Sequence, residues 1–221
     1  MWAKQAWWCL IDAGLWGRGV TTAEERVDVS IMALNHELMQ WYSRYDAANP
    51  GYPITRLNKL TASRLGAGRG DRRFKTKAME CWGSALFLLE FLDGAMPRLP
   101  PLAARILQGG KWLVKFMHEL RSMGPRIETT QAHSLLDIWK NWMAIAEELE
   151  AWTPKAHLMY HLIIKSVRQG NPLRYQVFAD ESLNRILRDA LRLCHQTRFE
   201  QLGMVKMQEI LRRPHIRRRL A

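Results

Sequence analysis

Apolar residues recur at helical intervals along almost the whole chain, and nowhere do they show convincing alternation at the period of two that marks a half-buried strand. Val27, Ile31, Leu34, Leu38 and Trp41 follow Thr21-Thr22 and the acids Glu24-Glu25, a cap and first turn suited to a helix start. This predicts an amphipathic helix of about 25 residues, stopping before Asn49-Pro50-Gly51. Residues 74–92 are apolar on more than one face, as expected of a helix central to a core. Residues 99–120 give another helix after Pro97 and Pro100-Pro101, which Gly109-Gly110 is expected to kink or split. Thr129 or Thr130 is the expected cap of the next helix, which carries Leu135, Ile138, Trp139, Trp142 and Ile145 and ends near Trp152. Segments 155–169, 180–195 and 197–211 complete the expected architecture: all-α, a multi-helix bundle of about seven helices with no substantial sheet.

The chain divides on this reading into a tryptophan-rich helical segment (1–20), a helical domain (21–211) and a basic tail (212–221). Inside the domain, residues 49–73 form a Pro-, Gly- and Arg-rich connector, expected to be a loop with at most a short extended piece. Its Arg56, Lys59, Arg64, Arg69, Arg72 and Arg73 suit either a phosphate backbone or solvent. The tail places Arg212, Arg213, Arg217, Arg218 and Arg219 together, either as a frayed soluble end or as a nuclear-import or nucleic-acid patch. At the other end, Trp2, Trp7, Trp8 and Trp16 are expected to need a cover from a partner, a second copy or an upstream domain. Lys4, Gln5 and Asp12 interrupt that segment, which falls short of the ~18–20 apolar residues of a membrane span, so no membrane partner is expected.

Composition adds a direction to this picture. The formal charge of +12, from 33 Lys and Arg against 21 Asp and Glu, favours a polyanionic partner, with nucleic acid first; a basic chain that binds no polymer is the plain alternative. Cys9, Cys81 and Cys194 are odd in number and far apart, which reads as buried thiols in a reducing compartment. The expected location is therefore intracellular, with the nucleus as the finer expectation. No Gly-x-Ser-x-Gly, P-loop, Rossmann glycine pattern or Cys/His zinc cluster supports an independent enzyme of another class.

The densest chemistry lies in residues 153–188. Pro154 opens a helix on which His157, His161, Lys165 and Arg168 share one face, while Met159, Leu162 and Ile163 look inward. Two histidines four apart lack the third protein ligand that zinc requires, so no metal site is expected; contact with an anion, or packing under a neighbouring loop, is the simpler use. Gly170-Asn171-Pro172 ends this helix with a residue suited to a left-handed cap. Beyond it, Asp180 suits a cap for a helix whose outer stripe is Glu181, Arg185, Arg188 and Arg192, a spacing that also makes Glu181 and Arg185 an ordinary surface pair.

The order of these motifs resembles the C-terminal half of eukaryotic DDE, RNase H-like transposases, in the manner of CACTA and Kyakuja-Dileera-Zisupton-like elements and their protist relatives. It runs from Glu25-Arg26 and Trp41-Tyr42 through "FKTKAMECWGSALFLLEFL" to "TPKAHLMYHL", "QGNP" and "DESLNRILR". The resemblance implies that Glu181 is the third, vestigial acid of a two-metal site. Lys155, His157, His161, Lys165, Arg168, Arg185, Arg188 and Arg192 would then form a nucleic-acid-binding surface. The family's first two aspartates sit on upstream strands, and no strand precedes Thr21 here. The chain is thus expected to be a truncated or decayed fragment of a mobile-element protein, associating with DNA but not active alone. No cofactor is expected for it unless the missing carboxylates, and with them a divalent metal, are supplied upstream. The alternative is a helical protein-protein interaction module without nucleic-acid binding.

Overall fold

The computed structural model describes residues 2–16, 19–20, 22–67 and 72–173. These form seven α-helices and one 3-10 turn, with no strand among the described residues, so the chain is an all-α multi-helix bundle. In order they are α1 (Trp2–Asp12), α2 (Ala23–Ala48), the short α3 (Ala62–Leu65), α4 (Ala78–Ala95) with its 3-10 extension (Met96–Arg98), α5 (Leu102–Ser122), α6 (Thr129–Glu148) and α7 (Pro154–Gln169). The helices expected over 180–195 and 197–211, and the tail 212–221, lie outside the described residues.

Local chemistry sets the boundaries. Thr22 caps α2 in a reciprocal box: its hydroxyl accepts from the Glu25 N–H at 3.2 Å, and the Glu25 carboxylate accepts the Thr22 N–H at 3.3 Å. At α6 the cap is Glu128, one residue before the expected threonines, because the Gln131 side chain reaches back to accept the Glu128 N–H at 2.9 Å. Thr153 is the N-cap of α7 and Pro154 its first residue, where a missing N–H costs nothing.

Two apolar clusters make up the interior. The first gathers α1, α2, α4, residues of the connector and the N-terminal half of α5; the second gathers the C-terminal half of α5 with α6 and α7. Helix α5 is therefore the common wall. In the second cluster Phe116 meets Trp139 at 4.8 Å between centroids, Trp139 stacks on Trp142 at 4.5 Å, and the Trp139 indole N–H donates to the Ala156 carbonyl, docking the first turn of α7.

Three expectations are corrected here. The N-terminal tryptophans are not an uncovered face: Trp2, Trp7 and Trp8 are buried in the first cluster, and Trp16 stacks on Phe91. Their cover comes from α4, α5 and the connector of the same chain. Gly109-Gly110 neither kinks nor splits α5, which runs unbroken from Leu102 to Ser122. The pair instead forms a socket for the Trp2 ring, whose N–H donates to the Ile106 carbonyl at 2.6 Å. Finally, the connector holds no strand but the short helix α3, capped by Thr61, and it is anchored to α2. Leu57, Leu60 and Leu65 are fully buried; the Tyr42 hydroxyl accepts the Leu57 N–H at 2.9 Å; and Asn35 brackets Leu60, accepting its N–H at 2.7 Å and donating to its carbonyl at 2.8 Å. A buried loop must have its backbone groups paired, and two side chains of α2 do this for the connector.

Candidate nucleic-acid interface

Several exposed or half-buried basic residues face carboxylates: Arg44 faces Glu90, Arg56 Asp46, Arg64 Glu80, Arg72 Asp12, Arg105 Glu148, Lys111 Asp93 and Lys140 Asp137. Three of the connector's cations, Arg56, Arg64 and Arg72, belong to this group. Arg56 also covers the Tyr42 ring, and the Arg72 guanidinium lies 4.3 Å from the centre of Trp8, so both act as lids over core aromatics as well as ion-pair partners. Burial alone would raise the Glu80 carboxyl, but hydrogen bonds from the Lys77 N–H, Thr76 and Arg64 hold it below the ordinary glutamate value. Arg64 is thereby committed to the start of α4 and is a poor candidate for a phosphate.

Helix α7 is different. Its sequence contains no Asp or Glu, and no ion pair among the described residues involves it. His157, His161, Lys165 and Arg168 are all exposed. At 100° per residue they span a single stripe, about 16 Å long from first to last. The two histidines touch, Nε2 to Nε2 at 2.9 Å with rings edge to face at 4.5 Å, and Trp152 and Tyr160 flank them. Lys155 stands at the second position of the same helix. Among the described residues no group of three His, Cys, Asp or Glu converges as metal ligands would.

The inward side of α7 differs in detail from expectation. Ala156, Ile163 and Ser166 are buried and Met159 packs against them, whereas Leu158, Ile164 and Val167 lie exposed beside the basic stripe. At the helix end, Gly170 has φ +87° and ψ −170°, so the chain leaves in an extended, positive-φ conformation and not the left-handed cap. The reason is close packing, since a Cβ there would sit 2.6 Å from the Pro125 carbonyl oxygen.

The next residue answers what the Gly-Asn-Pro break is for. Asn171 is buried, and its side-chain amide donates to the carbonyls of Leu120, Met123 and Gly124 at 2.9–3.2 Å; its N–H donates to Pro125, and its side-chain oxygen accepts the Leu173 N–H. One side chain thus satisfies the last carbonyls of α5 and fastens the end of α7 to the α5–α6 loop. This fixes the stripe on a rigid support. Sequence reasoning missed the rivet, whose only sign was an Asn placed between the helix-ending glycine and a proline.

Glu181, Arg185, Arg188 and Arg192 lie outside the described residues. Among those described, no helix is long and apolar enough to cross a membrane. No protein-family model, curated protein or solved structure matches the chain.

Proposed function

We propose that this protein associates with nucleic acid, most directly duplex DNA, through the acid-free outer face of α7, as a transposase-derived fragment without a complete metal site of its own. The observation that supports the proposal is the make-up of that face: His157, His161, Lys165 and Arg168 lie exposed on one stripe of a helix without Asp or Glu, and no described carboxylate pairs with Lys165 or Arg168. A helix that only needed solubility would be served as well by mixed charge. Residues 174–221, which continue from the end of α7, hold half of the formal net charge of +12 and extend the same electrostatic character. The transposase ancestry rests on motif order, with Glu181 as its vestigial acid.

The test is equilibrium binding of the full chain to a fluorescent duplex across a potassium chloride series. Contacts from Lys165 and Arg168 alone give a log–log slope of about −2, steeper with the basic tail engaged. A salt-independent signal, or none at low salt, refutes the reading.

A second reading is favoured by one specific observation. Trp152, Leu158, Ile164 and Val167, four of the large exposed hydrophobics, cluster on α7 and its lead-in. They suit a protein-protein interface in place of nucleic acid, and sedimentation velocity over a concentration series separates the two, since self-association without DNA binding supports only the second.

A further inference from the structure

The chain has ten tryptophans, and the fold covers nine of them. Six are buried. Of the half-buried ones, Trp16 stacks on Phe91, Trp82 lies under the Arg121 guanidinium at 4.2 Å, and Trp112 has the Lys115 ammonium over its ring at 5.3 Å. Trp152 is the exception. It is the one exposed tryptophan, at 43%, and it stands in the link between α6 and α7, at the head of the basic stripe. Its ring contact among the described residues is with His157, 6.1 Å between centroids and tilted by 47°.

The rings that follow also keep open surface. His157 meets His161 edge to face at 4.5 Å and 83°, and Tyr160 meets His161 at 5.8 Å and 78°. An edge-on contact takes at most one face of one ring, and both histidines are exposed. This row runs directly into the cations, since His161 and Lys165 are about 6 Å apart along the helix axis and Arg168 follows on the same stripe. Aromatic faces in line with cations match an unpaired polynucleotide strand, whose phosphates are held by charge while its bases stack on rings. A closed duplex would use only the cations, because its bases are already stacked on one another.

We infer that the outer face of α7 takes nucleic acid with unpaired bases: Lys165 and Arg168 hold phosphates, and Trp152, with His157 and His161 beside it, stacks against bases that have left the duplex. The inference rests on the α7 reading and narrows it to duplex ends, gaps or loops over closed duplex. The test is anisotropy of the full chain with two DNA probes of equal phosphate number, a blunt duplex and a duplex ending in a single-stranded thymidine tail. Duplex carries the denser charge, so electrostatics alone ranks the blunt probe first. The tailed probe is expected to bind at least about fivefold tighter. Trp152→Ala should bring the ratio of the two affinities to about one or below, and Trp152→Phe, which keeps a ring, should retain most of it. A wild type without the preference, or a ratio that Trp152→Ala leaves unaltered, as an equal loss on both probes would, overturns the inference. So does sedimentation in which Trp152→Ala abolishes self-association while the probes stay undistinguished, which would assign the ring to a protein contact. Binding to both probes without preference refutes this inference alone and leaves the α7 reading standing; binding to neither refutes both.

Discussion

The indole of Trp2 fills the space that a side chain on Gly110 would need: a Cβ built at Gly110 would lie 2.2 Å from Trp2 Cζ2 and 2.8 Å from Cε2. This contact closes the first turn of α1 onto the middle of α5. Gly110→Ala must expel or tilt the ring, and because Trp2 also donates to Ile106, the hydrogen bond is strained with it. Overpacking of this kind costs about 1–3 kcal/mol, against a gain in helix propensity of about 1 kcal/mol had the site been open. Urea unfolding is expected to show Gly110→Ala destabilised. Gly109→Ala, whose nearest contact is the Ile145 Cγ2 methyl at 3.1 Å, should be milder.

Asn171→Ala removes the donor shared by the carbonyls of Leu120, Met123 and Gly124 and leaves the first two buried without it, for a loss of about 2–3 kcal/mol. Asn171→Asp should be worse, since it points a carboxylate at carbonyl oxygens. Hydrogen exchange locates the effect: protection falls in the last turn of α5 and the end of α7, while α2 and α4 keep theirs.

The connector should loosen when its anchors are cut. Tyr42→Phe leaves the Leu57 N–H without its acceptor, and Asn35→Ala frees both backbone groups of Leu60. Each change costs about 1–3 kcal/mol, and limited proteolysis within residues 52–61 should accelerate several-fold. Equal resistance to protease in wild type and variants would contradict the anchoring.

Glu80 gives a pH signature. Its folded-state value is depressed below the ordinary 4.5, so its contribution is complete above that pH and is lost as pH falls through the folded value. Thermal unfolding of Glu80→Gln should therefore be less stable near neutrality and show a flatter acid limb than wild type.

The helical pattern was legible because apolar spacing survives in any single sequence: the all-α class and the α2 cap at Thr22 follow from it. The basic stripe of α7 was legible for the same reason, since positions three and four apart share a face whatever surrounds them. What could not be read was which residues meet across the chain. Trp2 looked uncovered because its socket lies over one hundred residues away, and Gly109-Gly110 looked like a hinge because its occupant was out of view. Arg56, Arg64 and Arg72 resembled a phosphate-binding run until Asp46, Glu80 and Asp12 came to face them. Nor does anything in the local sequence mark Glu150 as the one described non-glycine residue with positive φ.

The most direct measurement is a paired charge reversal read by duplex-DNA anisotropy at matched salt. Lys165→Glu/Arg168→Glu reverses two exposed α7 cations that no described carboxylate pairs, and Arg105→Glu reverses an exposed cation already paired with Glu148. The account predicts that the α7 double variant weakens binding by at least about tenfold and lowers the salt slope by about two, while Arg105→Glu changes binding by less than about threefold. Equal loss in the two variants, or no loss in the α7 variant, would contradict the assignment of α7 as the nucleic-acid face.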